Sequence, residues 1–204
     1  MKRQQETVGS IVQIHVNDEF YVYAQILPHG LLAFFDYKSD TELSDLNVLK
    51  NAKILFITAV YKYVITKGIW LKVGKIPIRE DLQVLPLRFV YDRISEKFFT
   101  YNPETGETAP TTIDVAKKLE RAAVWDDKQI EERIKNHYDG VPCKWMQETF
   151  ELFNMVRGKK TSISTDTAMI QLMELRTLLQ QRQYQSALSL LRKWQDFTIQ
   201  ALKI

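Results

Sequence analysis

Residues 54–78, ILFITAVYKYVITKGIWLKVGKIPI, decide the fold that is predicted for this chain. They are rich in β-branched and aromatic side chains and contain no acid, a composition typical of β-strands. Gly68, Gly74 and Pro77 interrupt the stretch at intervals that are typical of turns. We therefore predict two or three strands of a compact β-barrel or curled sheet. Gly68-Ile69-Trp70 is predicted to be a turn that carries an aromatic core anchor.

The chain before this stretch alternates between apolar and polar residues. Residues 12–16 and 20–26 each follow a period of two, which is the mark of half-buried strands. Asn17-Asp18-Glu19 predicts a hairpin turn between them. Pro28-His29-Gly30 predicts the next turn, and residues 31–37 a third strand.

Residues 39–50 predict a helical turn or a long loop, and residues 85–91 and 97–101 predict a further hairpin.

Helical spacing replaces the alternation of apolar and polar residues after Pro110. Four small or apolar residues then recur on one helical face: Ile113, Ala116, Leu119 and Ala123. Asp126 or Asp127 is predicted to cap a second helix that runs through Ile134.

The C-terminal part of the chain predicts helices throughout. Residues 145–156 predict one helix, and residues 166–181 and 184–203 predict a helical hairpin. The second arm has an apolar seam formed by Tyr184, Ala187, Leu188, Leu191, Trp194, Thr198 and Leu202. We predict an α+β protein with an N-terminal small antiparallel β-barrel or curled sheet in residues 1–135. A helical extension, residues 136–204, follows it and ends in the helical hairpin, through which a homodimer is possible.

The composition is that of an ordinary globular protein. The 204 residues are 45% hydrophobic and 26% charged, which is enough apolar material for a sizeable core. No apolar run approaches the roughly 20 residues that a membrane-spanning helix needs, and the first residues lack an apolar signal core. Cys143 is the single cysteine and excludes an intramolecular disulfide. We therefore expect a cytoplasmic protein with no membrane partner.

The residues show no pattern of catalysis or metal binding. His15, His29 and His137 lie far apart and lack the paired spacing of a zinc site. The chain has no HExxH motif, no CxxC motif and no serine elbow flanked by glycines. We predict that the protein is not an enzyme, with no catalytic residues, no metal and no other cofactor.

Charge is distributed unevenly, although the net charge is only +3. Between residues 46 and 79 there are seven bases and no acid: Lys50, Lys53, Lys62, Lys67, Lys72, Lys75 and Arg79. Four acids come just before them, with Lys38 as the single base in residues 36–45: Asp36, Asp40, Glu42 and Asp45. This pattern indicates either solvated loop and strand positions or an acidic region beside a basic one.

Two N-terminal stretches resemble a known family. Residues 8–14, VGSIVQI, and residues 20–27, FYVYAQIL, are similar to the opening of the immunity protein twenty-six family of bacterial polymorphic-toxin systems. Further similar positions are residues 56–60, Gly68-Ile69-Trp70, Val73-Gly74 and Val124-Trp125. The resemblance covers roughly residues 8–134. Ser10, His15 and Ala24 depart from it, because the family usually has aspartate, proline and glycine at these positions.

The resemblance implies a cytoplasmic antidote that binds the toxic domain of a secreted effector and blocks it without catalysis. Complementary charge speeds the capture of a partner, and a few buried anchors supply the affinity. Many such toxins act on nucleic acids and are basic. The acidic residues are therefore the predicted contact with the toxin: Asp36, Asp40, Glu42 and Asp45.

A nucleic-acid-binding β-barrel is the alternative function. Lys62 lies between Tyr61 and Tyr63, and Lys67 and Lys72 flank Trp70. Bases interleaved with aromatic residues suit a strand face that stacks nucleobases and contacts phosphates. The nearly neutral net charge argues against a nucleic-acid partner. A third class of function is a dimerisation or adaptor module formed by the C-terminal helical hairpin.

Overall fold

The computed structural model describes residues 3–149 and 151–156. The chain forms two compact units, Met1–Phe153 and Asn154–Ile204, and residues 154–156 are the described part of the second unit. The predicted hairpin of residues 166–181 and 184–203, its apolar seam and the homodimer lie outside the described residues. The division predicted after residue 135 stays a prediction.

Ten strands and several helices lie in the described residues. The strands are β1 (Ser10–Val16), β2 (Phe20–Ile26), β3 (Leu31–Phe35), β4 (Ile54–Val60), β5 (Leu71–Lys75), β6 (Arg88–Asp92), β7 (Lys97–Tyr101), β8 (Thr108–Thr111), β9 (Glu120–Arg121) and β10 (Val124–Trp125). The helices are α1 (Lys62–Thr66), α2 (Ile113–Ala116) and α3 (Asp127–Asp139), and residues 144–149 and 151–156 are also helical. Short 3-10 turns occupy Pro28–Gly30, Leu46–Asn51 and Glu80–Leu82.

The strands form two open sheets. The six-stranded sheet has the order β10-β4-β3-β2-β1-β5, and the four-stranded sheet has the order β8-β7-β6-β9. Most neighbours are antiparallel, but β10 pairs parallel to β4 and β9 pairs parallel to β6. The α+β class is confirmed. Of the predicted antiparallel β-barrel or curled sheet, the barrel is not confirmed, because in the described residues β10 and β5 remain at opposite edges of their sheet.

The predicted turn between the first two strands is confirmed, and its residues explain it. β1 and β2 pair from Ile11↔Gln25 to Val16↔Phe20. Asn17 and Asp18 have positive φ, 48° and 59°, a conformation that Asn and Asp adopt more readily than most other residues. The Glu19 N–H closes the turn by donating to the carbonyl oxygen of Val16 at 2.9 Å.

Both faces of the strands β1, β2 and β3 are covered, so the prediction of half-buried strands was wrong. One face packs against Trp70, Trp125 and α3. The other face packs under the 3-10 turns Leu46–Asn51 and Glu80–Leu82. Polar residues of the alternation are therefore buried too. Gln25 is fully buried, and its Nε2 donates to the carbonyl oxygens of Gly9 at 3.2 Å and Ile76 at 2.8 Å.

Residues 54–78 form the strands β4 and β5, as predicted, with the helix α1 between them. The helix places Val64 and Ile65 in the core, and Gly68 follows it with φ 71°. Trp70 is only 1% exposed and meets Phe34 edge-on, with ring centroids 5.9 Å apart. The core anchor is therefore confirmed, whereas residues 62–66 are helical rather than extended.

The predicted helix after Pro110 is shorter than its sequence pattern. α2 ends at Ala116, and Glu120 and Arg121 form the strand β9, paired with Arg88 and Phe89 of β6. The long-range pairing with β6 interrupts a helical spacing that continues through Leu119 to Ala123. The predicted hairpin of β6 and β7 is confirmed.

The helix α3 begins at its predicted cap and extends beyond its predicted end. Asp126 forms a capping box: its Oδ1 accepts from the Gln129 N–H at 2.8 Å, and the Gln129 side chain accepts from the Asp126 N–H at 3.1 Å. Such a box satisfies two otherwise unpaired backbone donors. Gly140 ends the helix with φ 66°. The helix runs to Asp139, beyond the predicted end at Ile134.

Candidate partner-binding surfaces

The acidic segment, residues 36–45, follows β3 and is fastened to β2 by backbone hydrogen bonds. The Tyr21 N–H donates to the Ser39 carbonyl oxygen at 2.7 Å, and the Ser39 N–H donates to the Tyr21 carbonyl oxygen at 3.0 Å. Lys38 lies with its Nζ 4.2 Å from the centroid of the Phe20 ring, a cation–π contact. Within the described residues it forms no ion pair with its acidic neighbours.

Two of the four predicted acidic contacts have structural partners. Asp36 accepts from the Tyr138 hydroxyl at 3.3 Å, and burial together with this carboxylate raises the pKa of Tyr138 above its usual value. Asp45 caps the 3-10 turn Leu46–Asn51, because its Oδ1 accepts from the Asn47 N–H at 2.9 Å and from Asn47 Nδ2 at 2.7 Å. These hydrogen bonds lower the pKa of Asp45.

Asp40 and Glu42 are the two acids that remain available to a partner. Both are exposed. Within residues 3–149 and 151–156, neither side chain forms an ion pair or a hydrogen bond. An exposed carboxylate without a partner loses no internal contact when it binds a cationic group, so the acidic segment has two free charges on an anchored backbone.

The basic-aromatic residues are only partly brought together. Tyr61 and Tyr63 stack with ring centroids 5.8 Å apart, and Lys67 Nζ lies 5.3 Å from the Tyr63 centroid. We call Tyr61, Tyr63 and Lys67 the tyrosine cluster. It lies at α1 and not on a strand face, so the predicted strand platform was wrong. Lys62 is exposed at the start of this helix.

The tyrosine cluster borders the first turn of α3. The Tyr63 hydroxyl donates to Asp127 Oδ1 at 3.5 Å, and partial burial with the nearby carboxylates of Asp127 and Asp126 raises the pKa of Tyr63. The Tyr61 N–H donates to the Trp125 carbonyl oxygen at 2.9 Å. The cluster exposes a large aromatic surface, since Tyr61 is 49% and Tyr63 37% exposed.

Lys72 belongs to another part of the surface. It lies on β5, and its Nζ donates to the Gln5 carbonyl oxygen at 2.9 Å and to Thr7 Oγ1 at 3.0 Å. Its N–H donates to Gln4 Oε1 at 2.8 Å. Lys72 therefore holds the N-terminal segment in place. Nucleic-acid binding by the remaining basic-aromatic residues stays a prediction.

A cavity of about 390 Å³ lies between the two sheets, and the sequence did not indicate it. Its basic residues are Arg88, Arg121 and His29. Arg88 is 2% exposed, and its Nε and Nη2 have no hydrogen-bond partner among the described residues. The parallel pairing of β6 with β9 sets Glu120 opposite Arg88 and Arg121 opposite Phe89. No local sequence pattern predicts this pairing, which brings Arg121 to the same cavity as Arg88. The single signal in the sequence is a charged residue at the start of the otherwise apolar run of residues 88–91.

The described residues contain no group of three or more His, Cys, Asp or Glu side chains that is arranged to hold a metal ion. In the same part of the chain, no helix has both the length and the apolar character that crossing a bilayer requires. Cys143 is half-buried and has a free thiol.

Comparison with known proteins adds one finding to this geometry. Residues 7–100 match the family model described as Immunity protein 26. The match covers β1 to β6 and reaches into β7, and it stops before the Val124-Trp125 pair that the sequence resemblance included. Neither a curated protein nor a solved structure matched the chain. Over residues 7–100 the resemblance is confirmed, and this part of the chain is similar to the Immunity protein 26 family.

Proposed function

We propose that this protein binds a bacterial toxin domain in the cytoplasm and neutralises it by covering a surface that the toxin needs, without catalysis of its own. The match of residues 7–100 to Immunity protein 26 carries this proposal. The anchored β-rich core supports it, because a rigid surface loses little conformational entropy when it binds.

The acidic segment is the proposed contact for a basic toxin surface. Asp40 and Glu42 supply exposed, unpaired charge, while the Ser39–Tyr21 bonds and the Asp45 cap hold the backbone that carries them. Exposed charges at an interface act mainly on the association rate and on its salt dependence. Asp40 and Glu42 are therefore proposed to steer the encounter with the toxin.

The full chain, used as bait in lysate of the source cells, tests the function. We expect capture of one large secreted effector through its C-terminal domain. Co-expression of the full chain with that isolated domain is expected to restore growth that the domain alone abolishes. A captured domain whose toxicity is unchanged by co-expression would contradict the proposal, as would capture of RNA-associated proteins that nuclease treatment removes.

A double charge reversal, Asp40→Lys with Glu42→Lys, tests the contact by stopped-flow association at several salt concentrations. The association rate at low salt is expected to fall about tenfold or more and to lose most of its salt dependence. Asp114→Lys with Glu148→Lys is the matched control, because it changes the net charge equally at two exposed acids elsewhere. Equal effects of the two double variants would show that only net charge matters.

The tyrosine cluster is the second candidate contact for the same function. Exposed tyrosines are enriched among the residues that dominate binding energy at interfaces, and Tyr61 and Tyr63 form a stacked pair. If the toxin covers this pair, Tyr61→Ala raises the dissociation rate and leaves the salt dependence unchanged. If the acidic segment alone is the contact, Tyr61→Ala leaves both quantities unchanged.

A further inference from the structure

The cavity between the sheets contains a buried cation whose donors have no protein partner. Arg88 is 2% exposed, and within the described residues its Nε and Nη2 donate no hydrogen bond. Burial of an unpaired charged group is costly, and burial also lowers the pKa of Arg88. The guanidinium therefore occupies a position where an added anion is strongly favoured.

The nearest acid is already engaged elsewhere. Glu120 stands opposite Arg88 in the β6–β9 pairing, but its carboxylate accepts from Arg133 Nη2 at 2.5 Å and from Nη1 at 3.3 Å. Arg133 is itself held over the Phe56 ring, 3.9 Å from its centroid. Glu120 therefore compensates the charge of Arg88 only at a distance and leaves the Arg88 donors unpaired.

Two further basic residues line the cavity, and no acidic residue does so among those described. Arg121 lies one residue after Glu120 on β9 and lines the same space, and His29 lines it from the turn Pro28–Gly30. No carboxylate is found among the described residues that line the cavity. Two guanidinium groups provide forked donors whose geometry matches the oxygens of phosphate or carboxylate groups.

The remaining lining residues are mainly apolar. Leu31, Ala59, Val90 and Val124 form walls around the basic residues, and Tyr101 adds an aromatic ring. Arg88, Val90 and Tyr101 lie on one face of the four-stranded sheet, since Arg88 is paired with Tyr101 and lies two residues before Val90. A volume of about 390 Å³ falls within the range of small-molecule sites.

We propose that this cavity binds a small organic anion, with a phosphate or carboxylate group held by the buried Arg88, positive charge added by Arg121 from the edge strand β9, and an apolar body against the surrounding walls. The site is separate from the acidic segment and the tyrosine cluster. It goes beyond the proposed toxin binding and does not depend on it.

Isothermal titration of the full chain with phenyl phosphate, inorganic phosphate and phenol at constant ionic strength tests the site. Phenyl phosphate combines both required groups and is expected to bind at least about tenfold more tightly than either of the other two compounds. Benzoate in place of phenyl phosphate distinguishes a carboxylate site from a phosphate site. Equal affinities for phenyl phosphate and phenol would overturn the proposal, as would no binding of phenyl phosphate or benzoate at 10 mM, about 1,000-fold above a typical low-micromolar site.

Two cavity variants and a matched surface variant locate the binding. Arg121→Gln removes a half-buried guanidinium and is expected to weaken phenyl phosphate binding about tenfold to hundredfold. Arg93→Gln, at an exposed arginine in the β6–β7 turn, makes the same charge change and is expected to leave the affinity unchanged. Equal losses in these two variants would overturn the proposal.

Arg88→Met provides a readout that a purely structural arginine would not give. We expect it to weaken phenyl phosphate binding to the same degree or more, and to raise the melting temperature of the ligand-free protein. Loss of binding together with a lower melting temperature would indicate a structural role for Arg88. In that case the Arg121→Gln result, obtained in a protein with its buried arginine intact, decides whether the cavity binds anions.

Discussion

The two sheets of this protein differ in what their faces do. In the six-stranded sheet, both faces of the central strands are buried, and the polar Gln25 there is hydrogen-bonded. In the four-stranded sheet, one face carries Phe89 and Phe98, which pack with Phe153. Its other face places Arg88 in a cavity. Among the described residues, the larger sheet leaves only neutral buried atoms without a partner, such as Gln25 Oε1 and Thr58 Oγ1. The smaller sheet leaves a buried guanidinium unpaired beside a cavity.

The larger sheet mainly stabilises the fold, whereas the smaller sheet carries the proposed binding site. A sheet that is covered on both faces stabilises the fold through apolar burial. A sheet that buries an unpaired arginine loses stability at that position, and natural proteins retain such losses mostly at functional sites. The family match spans parts of both sheets, because residues 7–100 include five of the six strands of the larger sheet together with β6 and most of β7. Arg121 and Val124, which complete the cavity, lie beyond the match.

Truncation of one large core side chain packed against each sheet should produce the largest effects. Trp70→Ala is expected to lower the free energy of unfolding by about 4–5 kcal/mol, and Phe98→Ala by about 3 kcal/mol. Trp70 is more deeply buried and also donates from its Nε1 to Glu131 at 3.4 Å. Urea denaturation followed by far-ultraviolet circular dichroism measures both losses. A greater loss for Phe98→Ala would place the centre of stability in the four-stranded sheet.

Replacement of the buried arginine should raise the free energy of unfolding, whereas the core truncations lower it. Arg88→Met is expected to raise the free energy of unfolding by about 1–4 kcal/mol, the range found when apolar side chains replace buried ionic groups. Arg93→Met, at an exposed position, should change it by less than about 0.5 kcal/mol. Thermal and urea unfolding without added anions measure the two changes. A lower free energy of unfolding in Arg88→Met would show that the buried arginine stabilises the four-stranded sheet. The two sheets would then not differ in this respect.

The helix caps beside the two sheets should contribute unequally. Asp126→Ala removes the capping box of α3 and is expected to cost about 1 kcal/mol, whereas Asp126→Asn retains an acceptor and should cost little. Thr112 caps the short α2 through a long bond, 3.4 Å from the Val115 N–H to Oγ1, so Thr112→Ala should cost about 0.5 kcal/mol. Urea denaturation compares the three variants, and the reverse order would contradict the prediction.

The smallest effects are those of pH on stability through two carboxylates that accept turn hydrogen bonds, Asp45 and Asp92. Hydrogen bonds from the Asn47 backbone and side chain lower the pKa of Asp45. Hydrogen bonds from the Ser95 hydroxyl and the Ile94 N–H lower the pKa of Asp92. Because the folded pKa is depressed, each contribution is complete above the ordinary value of 3.8 and is lost as the pH falls through the lower folded value. Carboxyl carbon NMR titrations should give both midpoints below 3.8. A midpoint at or above 3.8 would show that the turn hydrogen bonds are not formed in solution.

The N-terminal strands were predictable because their signals are local. Alternation marks β1 and β2, and Asn17 and Asp18 tolerate the positive φ that the turn between them requires. The double burial of these strands was not predictable, because it depends on loops that return from distant parts of the chain. Gln25 is an example, since its partners are Gly9 and Ile76.

The remaining differences between the predicted and the observed structure lie in short segments whose local secondary-structure preference is not the one they adopt. Apart from Lys62, residues 61–66 are β-branched or aromatic, but α1 forms at Lys62–Thr66 because it places Val64 and Ile65 in the core. Tertiary packing thus overrides local preference. The same applies to the sites: the acidic run is visible in the sequence, but the engagement of Asp36 by Tyr138 is not. Arg88 and Arg121 line one cavity through a parallel strand pairing that no local pattern specifies.

The open edge at β5 has a consequence for the behaviour of the protein in concentrated solution. An edge strand offers free amide and carbonyl groups to other chains, and lysines along it oppose such pairing by charge repulsion. β5 exposes Leu71 and Val73 but places Lys72 and Lys75 between and after them, and Gln4 accepts from the Lys72 N–H. Charge repulsion between these lysines on neighbouring molecules opposes the pairing of one β5 edge with another. Salt weakens this repulsion by screening, so high ionic strength favours aggregation of the purified protein through this edge.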